Sequence, residues 1–259
     1  MQNTVIVVTG ASSGIGAALV VQLARRGASV VLVARRADAL AEVAAQCGPE
    51  ALTVAADMTD RAAVRDTVAR AIERFGRIDV WVNNVGKGIT RVPSKLTDED
   101  IDEMIRVNVK SAMYGMQEVL PHFQSRDAGH IINVSSMLGR LPLAVIRSSY
   151  SASKHFLNSL TASFREEVQQ THPGIQLSLV SPGVVRTDFG LNALHGGPDS
   201  RQFPDSQSAD EVAAVIAQVI ESRSPDVYTS EGSRDRVIQY MARVGVDPEI
   251  SSTRVTAAQ

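Results

Sequence analysis

Two short stretches of this chain hold residues whose types and spacing could do chemistry. In SSYSASKHFLNSL, Tyr150 and Lys154 stand four apart on a predicted helix, so they share one face. A free phenol titrates at about pH 10. A neighbouring ammonium favours the phenolate and lowers that value. Such a phenol could exchange a proton with a carbonyl or an alcohol near neutral pH. The chain holds four tyrosines and four lysines, so a chance pair at this spacing is rare. Taken alone, an exposed helical pair is still the plainer reading.

The second stretch is TGASSGIG, Thr9 to Gly16. It fits two chemistries. Gly10-Ala11-Ser12-Ser13-Gly14 satisfies G-x-S-x-G, the nucleophile elbow of a serine hydrolase, and Asp188 and His195 follow in the right chain order. The hydrolase reading is disfavoured. An elbow on the first strand leaves no earlier strand to build an oxyanion hole, and His195-Gly196-Gly197 comes long after it. The same letters make a glycine turn that could close around a phosphate at a helix N-terminus. Gly10 permits the turn, while Gly14 and Gly16 let backbone approach phosphate and let the helix pack on the strand. No Gly-Lys-Ser/Thr follows, so it is not a Walker loop.

The elements that must position these residues alternate. Short β-branched runs occur at 4–9, 29–34, 51–56, 79–83, 130–135, 175–181 and 226–229. Several are apolar on both faces, as strands buried in a parallel sheet are. Helical patterns lie between them at 14–26, 37–46, 60–75, 98–120, 148–170, 208–222 and 232–244. The order predicts an α/β fold, a Rossmann-like doubly wound, mostly parallel seven-stranded sheet with helices on both faces. Thr97 to Asp100 supplies a cap for the helix at 98, and Asp38 is expected to cap the helix at 37. Residues 1–245 read as one domain. The Gly-, Pro-, Ser- and Asp-rich segment 188–208 is expected to be a substrate lid, and 246–259 a disordered tail.

Composition narrows the function classes. Of 259 residues, 44% are hydrophobic and 21% charged, with a net charge of −2, values ordinary for a globular domain. This balance points away from nucleic acid as a partner. Cys47 is the one cysteine, which excludes an intrachain disulfide and a multi-cysteine metal site. It reads as a small residue near a helix end. No metal-binding cluster is expected among the five histidines, and His155 reads as structural. No membrane-length apolar run or signal peptide is visible, so the expectation is a soluble, cytoplasmic protein.

TGASSGIG, NNVG at 83–86, Asn108 in IRVNVKSAMYG, IINVSSMLG, Tyr150-x-x-x-Lys154 and SPGVVRT occur in the order seen in the short-chain dehydrogenase/reductase family. The chain resembles that family over roughly residues 3–230. The resemblance implies hydride transfer between a nicotinamide cofactor and a carbonyl or secondary alcohol. Tyr150 would be the acid/base, and Lys154 would lower its pKa and hold the nicotinamide ribose. Ser136 would bind the substrate oxygen, with its neighbour Ser135 as the alternative. Asn108 would hold a water in a proton relay to the lysine. The LPLAVIRSS segment places Ser136 one residue farther from Tyr150 than is usual in the family, which alters geometry beside the substrate. A non-catalytic dinucleotide-sensing regulator on the same fold is the rival reading, although a sensor has no need of the proton machinery.

The implied cofactor contacts are Gly10, Ser12, Ser13, Gly14, Ile15 and Gly16 at the phosphates and Asp57 and Met58 at the adenine. Asn84 and Gly86 would lie along the adenosine ribose. Pro182, Gly183, Val185 and Thr187 would hold the nicotinamide, besides Tyr150 and Lys154. An NAD site would place an acid near Ala34. Instead Arg35 and Arg36 follow Ala34. Arg35 matches the family position that pairs with a 2′-phosphate, so NADP(H) is expected over NAD(H). Met137, Leu138, Leu143, Phe189, Leu191 and Leu194 suggest a small apolar carbonyl or alcohol as substrate. The resemblance also implies a homodimer or homotetramer through the helices near 98–120 and 148–170.

Overall fold

The computed structural model describes residues 1–244, so the expected tail lies outside the described residues. In chain order the elements are β1 (Val5–Thr9), α1 (Gly14–Arg25), β2 (Ser29–Ala34), α2 (Ala37–Ala44), β3 (Ala51–Ala55), α3 (Arg61–Phe75), β4 (Val80–Asn83), α4 (Asp98–Ile105), α5 (Ser111–Gln124), β5 (Gly129–Val134), α6 (Ser148–Thr171), β6 (Ile175–Ser181), β7 (Val185–Arg186), β8 (Gln207–Ser208), α7 (Ala209–Ser222), β9 (Asp226–Tyr228) and α8 (Ser233–Met241). Seven strands form one sheet in the order β3-β2-β1-β4-β5-β6-β9, with every neighbouring pair parallel. β7 and β8 pair separately. The strand order reverses between β1 and β4, which opens a crevice at their carboxyl ends.

The sheet is covered on both faces because its central strands are apolar on both faces. Val5–Thr9, Val80–Asn83 and Gly129–Val134 are buried throughout. On one face Leu19, Leu23, Val212 and Ile216 of α1 and α7 pack on Ile6, Val8 and Leu32. On the other, Val64, Val68, Met116 and Phe123 of α3 and α5 pack on Val7, Val31 and Trp81. Among the described residues no helix is long and apolar enough to cross a membrane.

Three local expectations need correction. Asp38 does not cap α2; Arg36 holds that position and Asp38 lies in the first turn. The helix expected over 98–120 is two α-helices joined by a π-helical turn at Arg106–Lys110. Gln124, not residue 120, ends the second of them. Thr97 does cap α4, in a reciprocal box with Asp100.

His130 on β5 is buried, with Nε2 2.7 Å from Ser178 Oγ on β6. Burial, helped by the Arg223 charge, pushes its pKa from 6.5 down to about 3. The unfolded chain therefore takes up this proton first as pH falls. The stabilisation is complete above pH ~6.5 and is lost progressively toward pH ~3. Urea unfolding at pH 7.5 and pH 5 is expected to show a loss of about 2 kcal/mol from this group. A His130→Gln variant should lack that part of the slope; an unchanged slope would contradict the assignment.

Candidate active site

The glycine turn closes at the crevice. Gly10 and Gly14 adopt φ values of +69° and +56°, which a side chain disfavours. Asn84, just past β4, donates its Nδ2 to Thr9 O at 3.1 Å and Gly10 O at 3.3 Å. The two strand ends at the switch point are thus tied together. A β-carbon on Gly16 would collide with Gly10 O, and would lie 2.7 Å from Asn84 Nδ2. Gly16 therefore lets α1 close against the turn that follows β1. A β-carbon on Gly14 would lie 3.2 Å from Thr187 Cγ2. The Pro182–Thr187 segment reaches across to the turn, anchored by Met137 N donating to Pro182 O at 2.8 Å. A β-carbon on Gly183 would lie 3.6 Å from Ser230 Oγ, an ordinary contact, and Val185 packs against the core.

α6 brings Tyr150 and Lys154 to the carboxyl end of β5. Both are buried, at 7% and 3% exposure. Lys154 Nζ donates to Val134 O at 3.0 Å and lies 5.9 Å from the centre of the Tyr150 ring. Ser136, two residues past β5, lies beside the Tyr150 phenol and favours its ionised form, and its Oγ accepts from Leu138 N at 3.1 Å. Ser135 is engaged elsewhere, donating to Asn158 Oδ1 at 2.5 Å. Asn108 sits in the π turn, a feature that recurs at functional sites. Its Oδ1 accepts from Lys87 N at 2.8 Å, and its Nδ2 donates to Lys87 O at 3.0 Å and Ser153 Oγ at 3.1 Å. A β-carbon on Gly86 would lie 3.4 Å from Asn108 Oδ1, 3.7 Å from Lys154 Nζ and 3.9 Å from Phe189. Gly86, Asn108, Lys154 and Tyr150 therefore converge.

The electrostatics reverse one expectation. Burial pushes the Tyr150 phenol up to about 12, against the polar Ser136 hydroxyl and the Arg147 charge. Its net shift is upward, not downward. Burial alone draws Lys154 down to about 8. At neutral pH the pair therefore holds a protonated phenol beside a largely protonated amine.

The 188–208 segment lies over this cluster. Phe189 packs edge-on against Tyr150, with ring centres 5.6 Å apart. Leu194 forms a bridge with Ile89, and its N donates to Gly88 O at 2.8 Å. His195 Nε2 lies 2.7 Å from Asp100 Oδ1, and Asp188 pairs with Arg201 at 2.9 Å. The residues of the hydrolase reading therefore have other partners. Leu138 and Leu194 pack with Ile89 and Tyr150, whereas Leu143 and Leu191 are exposed. An open groove of about 430 Å³ lies on a different flank of α6, beside Ser148, Ser151 and His155.

At the other end of the crevice, Ala34 closes β2, and Arg35 and Arg36 are exposed. Arg36 Nη2 reaches Ser12 Oγ at 3.4 Å. Asp57 accepts from Thr59 N at 2.9 Å and Thr59 Oγ1 at 2.8 Å. Although burial raises its pKa, these bonds and the Arg35 and Arg106 charges hold the carboxyl low. Met58 gives its side chain to the core. Ser13 caps α1 in extended backbone, and Ile15 packs on the core.

Arg147 and Ser153 belong to the site but went unnamed in the sequence reading. Ser153 links Asn108 to Tyr150, donating to the Tyr150 carbonyl at 2.7 Å. Arg147 lies in the segment that carries the extra residue, the one signal that pointed toward it.

A parallel sheet in this order, with a glycine turn at its switch point, defines a Rossmann-type dinucleotide-binding protein. The short chain dehydrogenase pattern matches residues 4–195, and the chain belongs to that family. It is 38% identical over 221 residues to an uncharacterized oxidoreductase of Staphylococcus epidermidis, covering 84% of this chain and 93% of the relative. A short-chain dehydrogenase/reductase from Burkholderia phymatum in complex with NAD superposes with a TM-score of 0.85 at 25% identity, covering 95% of this chain and 98% of that one. A metagenomic short-chain oxidoreductase in complex with NADP gives 0.72 at 33% identity, covering 88% and 97%.

Proposed function

We propose that this protein is an NADP(H)-dependent reductase that interconverts a small carbonyl compound and its secondary alcohol. The observation that carries the reading is the convergence of Ser136, Tyr150 and Lys154 beside Gly86 and Asn108, over a glycine turn built for phosphate. The cradle fits a dinucleotide: two positive-φ glycines, a helix N-terminus and a bare Gly86 line one path. When bound, the nicotinamide supplies the hydride that reduces the carbonyl carbon, or accepts it in the reverse direction.

The chain's own residues handle the oxygen. Ser136 and Tyr150 donate hydrogen bonds to it as negative charge develops. Tyr150 Oη then gives up its proton, so that carbonyl plus hydride plus proton balances as alcohol. A phenol held near 12 is a protonated acid at neutral pH, which suits the reduction direction. Lys154 supplies a nearby positive charge that stabilises the phenolate left behind. Asn108 fixes the Lys87 backbone across the cleft. A panel of ketones, aldehydes and alcohols assayed by nicotinamide absorbance with both cofactors tests the reading. Absence of turnover across the panel would overturn it.

The preference for NADP rests on Arg35 and Arg36 at the end of β2, where no acid is present to bind a ribose hydroxyl. A guanidinium–phosphate contact is worth about 1.5–3 kcal/mol. Arg35→Ala is therefore expected to weaken NADPH binding roughly 10- to 100-fold and to leave NADH binding nearly unchanged. Fluorescence titration with both cofactors measures this; equal losses for the two would contradict it.

A further inference from the structure

We infer that Arg147 is the docking point for a carboxylate of the substrate, so that the site takes carbonyl compounds bearing an acid group and the corresponding hydroxy acids. The inference deepens the reductase reading and rests on it for the reacting carbonyl.

Arg147 immediately precedes α6, three residues before Tyr150. Its fork makes one hydrogen bond among the described residues, from Nη1 to Ile89 O at 3.0 Å. Arg91, which bridges to Arg147, is by contrast paired with Asp100 at 2.8 Å. Arg147 has no carboxylate partner among the described residues. Burial draws its pKa below the usual arginine range, and the Tyr150 phenol is the one group acting the other way. A half-buried cation without a counter-charge is costly to keep.

Its placement gives that cost a use. A β-carbon on Gly88 would lie 2.8 Å from Arg147 Nη1 and 3.0 Å from the Phe189 ring. The same ring packs on Tyr150, so the guanidinium and the phenol flank one side chain. A β-carbon on Gly197 would lie 3.0 Å from Arg147 Nη2 and 2.8 Å from Thr90 Oγ1. The Thr90 hydroxyl is buried and has no hydrogen-bond partner. A cation with spare donors and an unsatisfied hydroxyl therefore lie together against Gly197 of the overlying segment, where Gly190 O, 2.6 Å from such a β-carbon, leaves no room for a side chain. Guanidinium geometry matches a carboxylate bidentately. A tie to Ile89 O alone needs a single N–H, which a glutamine or lysine would also supply. Leu138 and Leu194, half-buried over Ile89, leave an apolar wall for the body of such a substrate.

Two measurements test this. In the first, thermal melting of the NADP-loaded protein is followed with 2-oxobutyrate, or with its methyl ester. The acid is expected to raise the melting midpoint and the ester to have no such effect. In Arg147→Met the acid should lose its effect, and Arg147→Lys should keep part of it. In the second, kcat/KM for an oxo acid is compared with that for its ester. The acid-to-ester ratio is expected to fall about 10- to 100-fold in Arg147→Met, as loss of a charge-assisted contact implies. Equal stabilisation by acid and ester in the wild type would overturn the carboxylate site, as would an unchanged ratio. A selective shift by the acid with no turnover of any compound would keep the site and overturn the reductase reading instead.

Discussion

Tyr150→Phe is expected to lower kcat by about 10²- to 10⁴-fold, the usual range for losing a positioned acid or base. Dinucleotide binding should stay within about twofold of wild type, because a general acid acts on the barrier rather than on cofactor affinity. The substitution removes one oxygen and little else. The ring keeps its edge contact with Phe189 and its packing against Ile89, Met104 and Leu138. Ser136 Oγ keeps the Leu138 N–H. The loss of the hydroxyl is therefore expected to cost no more than about 1 kcal/mol of stability. Steady-state kinetics, cofactor fluorescence and a melting curve on one preparation separate these effects. Turnover retained at the wild-type level would remove Tyr150 from the mechanism. A collapse of the melting point would instead identify the hydroxyl as structural.

How far the site could be read from the chain follows the range of the interactions involved. β1 and β2 were legible because VIVVT and SVVLVA are apolar on both faces, which a doubly covered strand requires. The glycine turn was legible because positive φ is a local demand. Tyr150 and Lys154 share a face through helix periodicity alone. The π turn was not legible, since the partners of Asn108 lie 21 and 45 residues away in the chain. The partner of His195 was hidden for the same reason; Asp100 reaches it across 95 residues. The direction of the Tyr150 shift depended on burial beneath Phe189 and Ile89, which spacing on α6 does not report. An ammonium four residues along the helix predicts a lowered pKa; in the fold desolvation outweighs Ser136 and Arg147, and the shift is upward. Arg147 was hidden by the same limit. An arginine in a loop is usually solvated, and only the fold shows that this one is half-buried without a carboxylate.

Gly16→Ala is expected to be the most damaging single-methyl change in the nucleotide turn, more so than Gly14→Ala. The new β-carbon would overlap Gly10 O and lie 2.9 Å from Gly10 C, both backbone atoms. Gly10 cannot simply move away. Its φ of +69° sets the turn, and Asn84 Nδ2 holds its carbonyl from β4. Relief must come from displacing α1 relative to β1, which moves the helix N–H groups proposed to meet the phosphates. Overpacking of this kind costs about 1–3 kcal/mol, and losing one charge-assisted bond costs a further ~10- to 100-fold in affinity. At Gly14 the added methyl meets the tip of Thr187 at 3.2 Å, a side chain that can give way. The cost there is mainly the left-handed backbone, about 1–2 kcal/mol. Melting curves with and without NADPH should rank the variants as wild type, Gly14→Ala, then Gly16→Ala, with the cofactor-dependent shift smallest in the last. If Gly16→Ala melts and binds as the wild type does, the turn is not closed in the way Gly10, Gly16 and Asn84 imply, and the assignment of this loop to phosphate loses its structural basis.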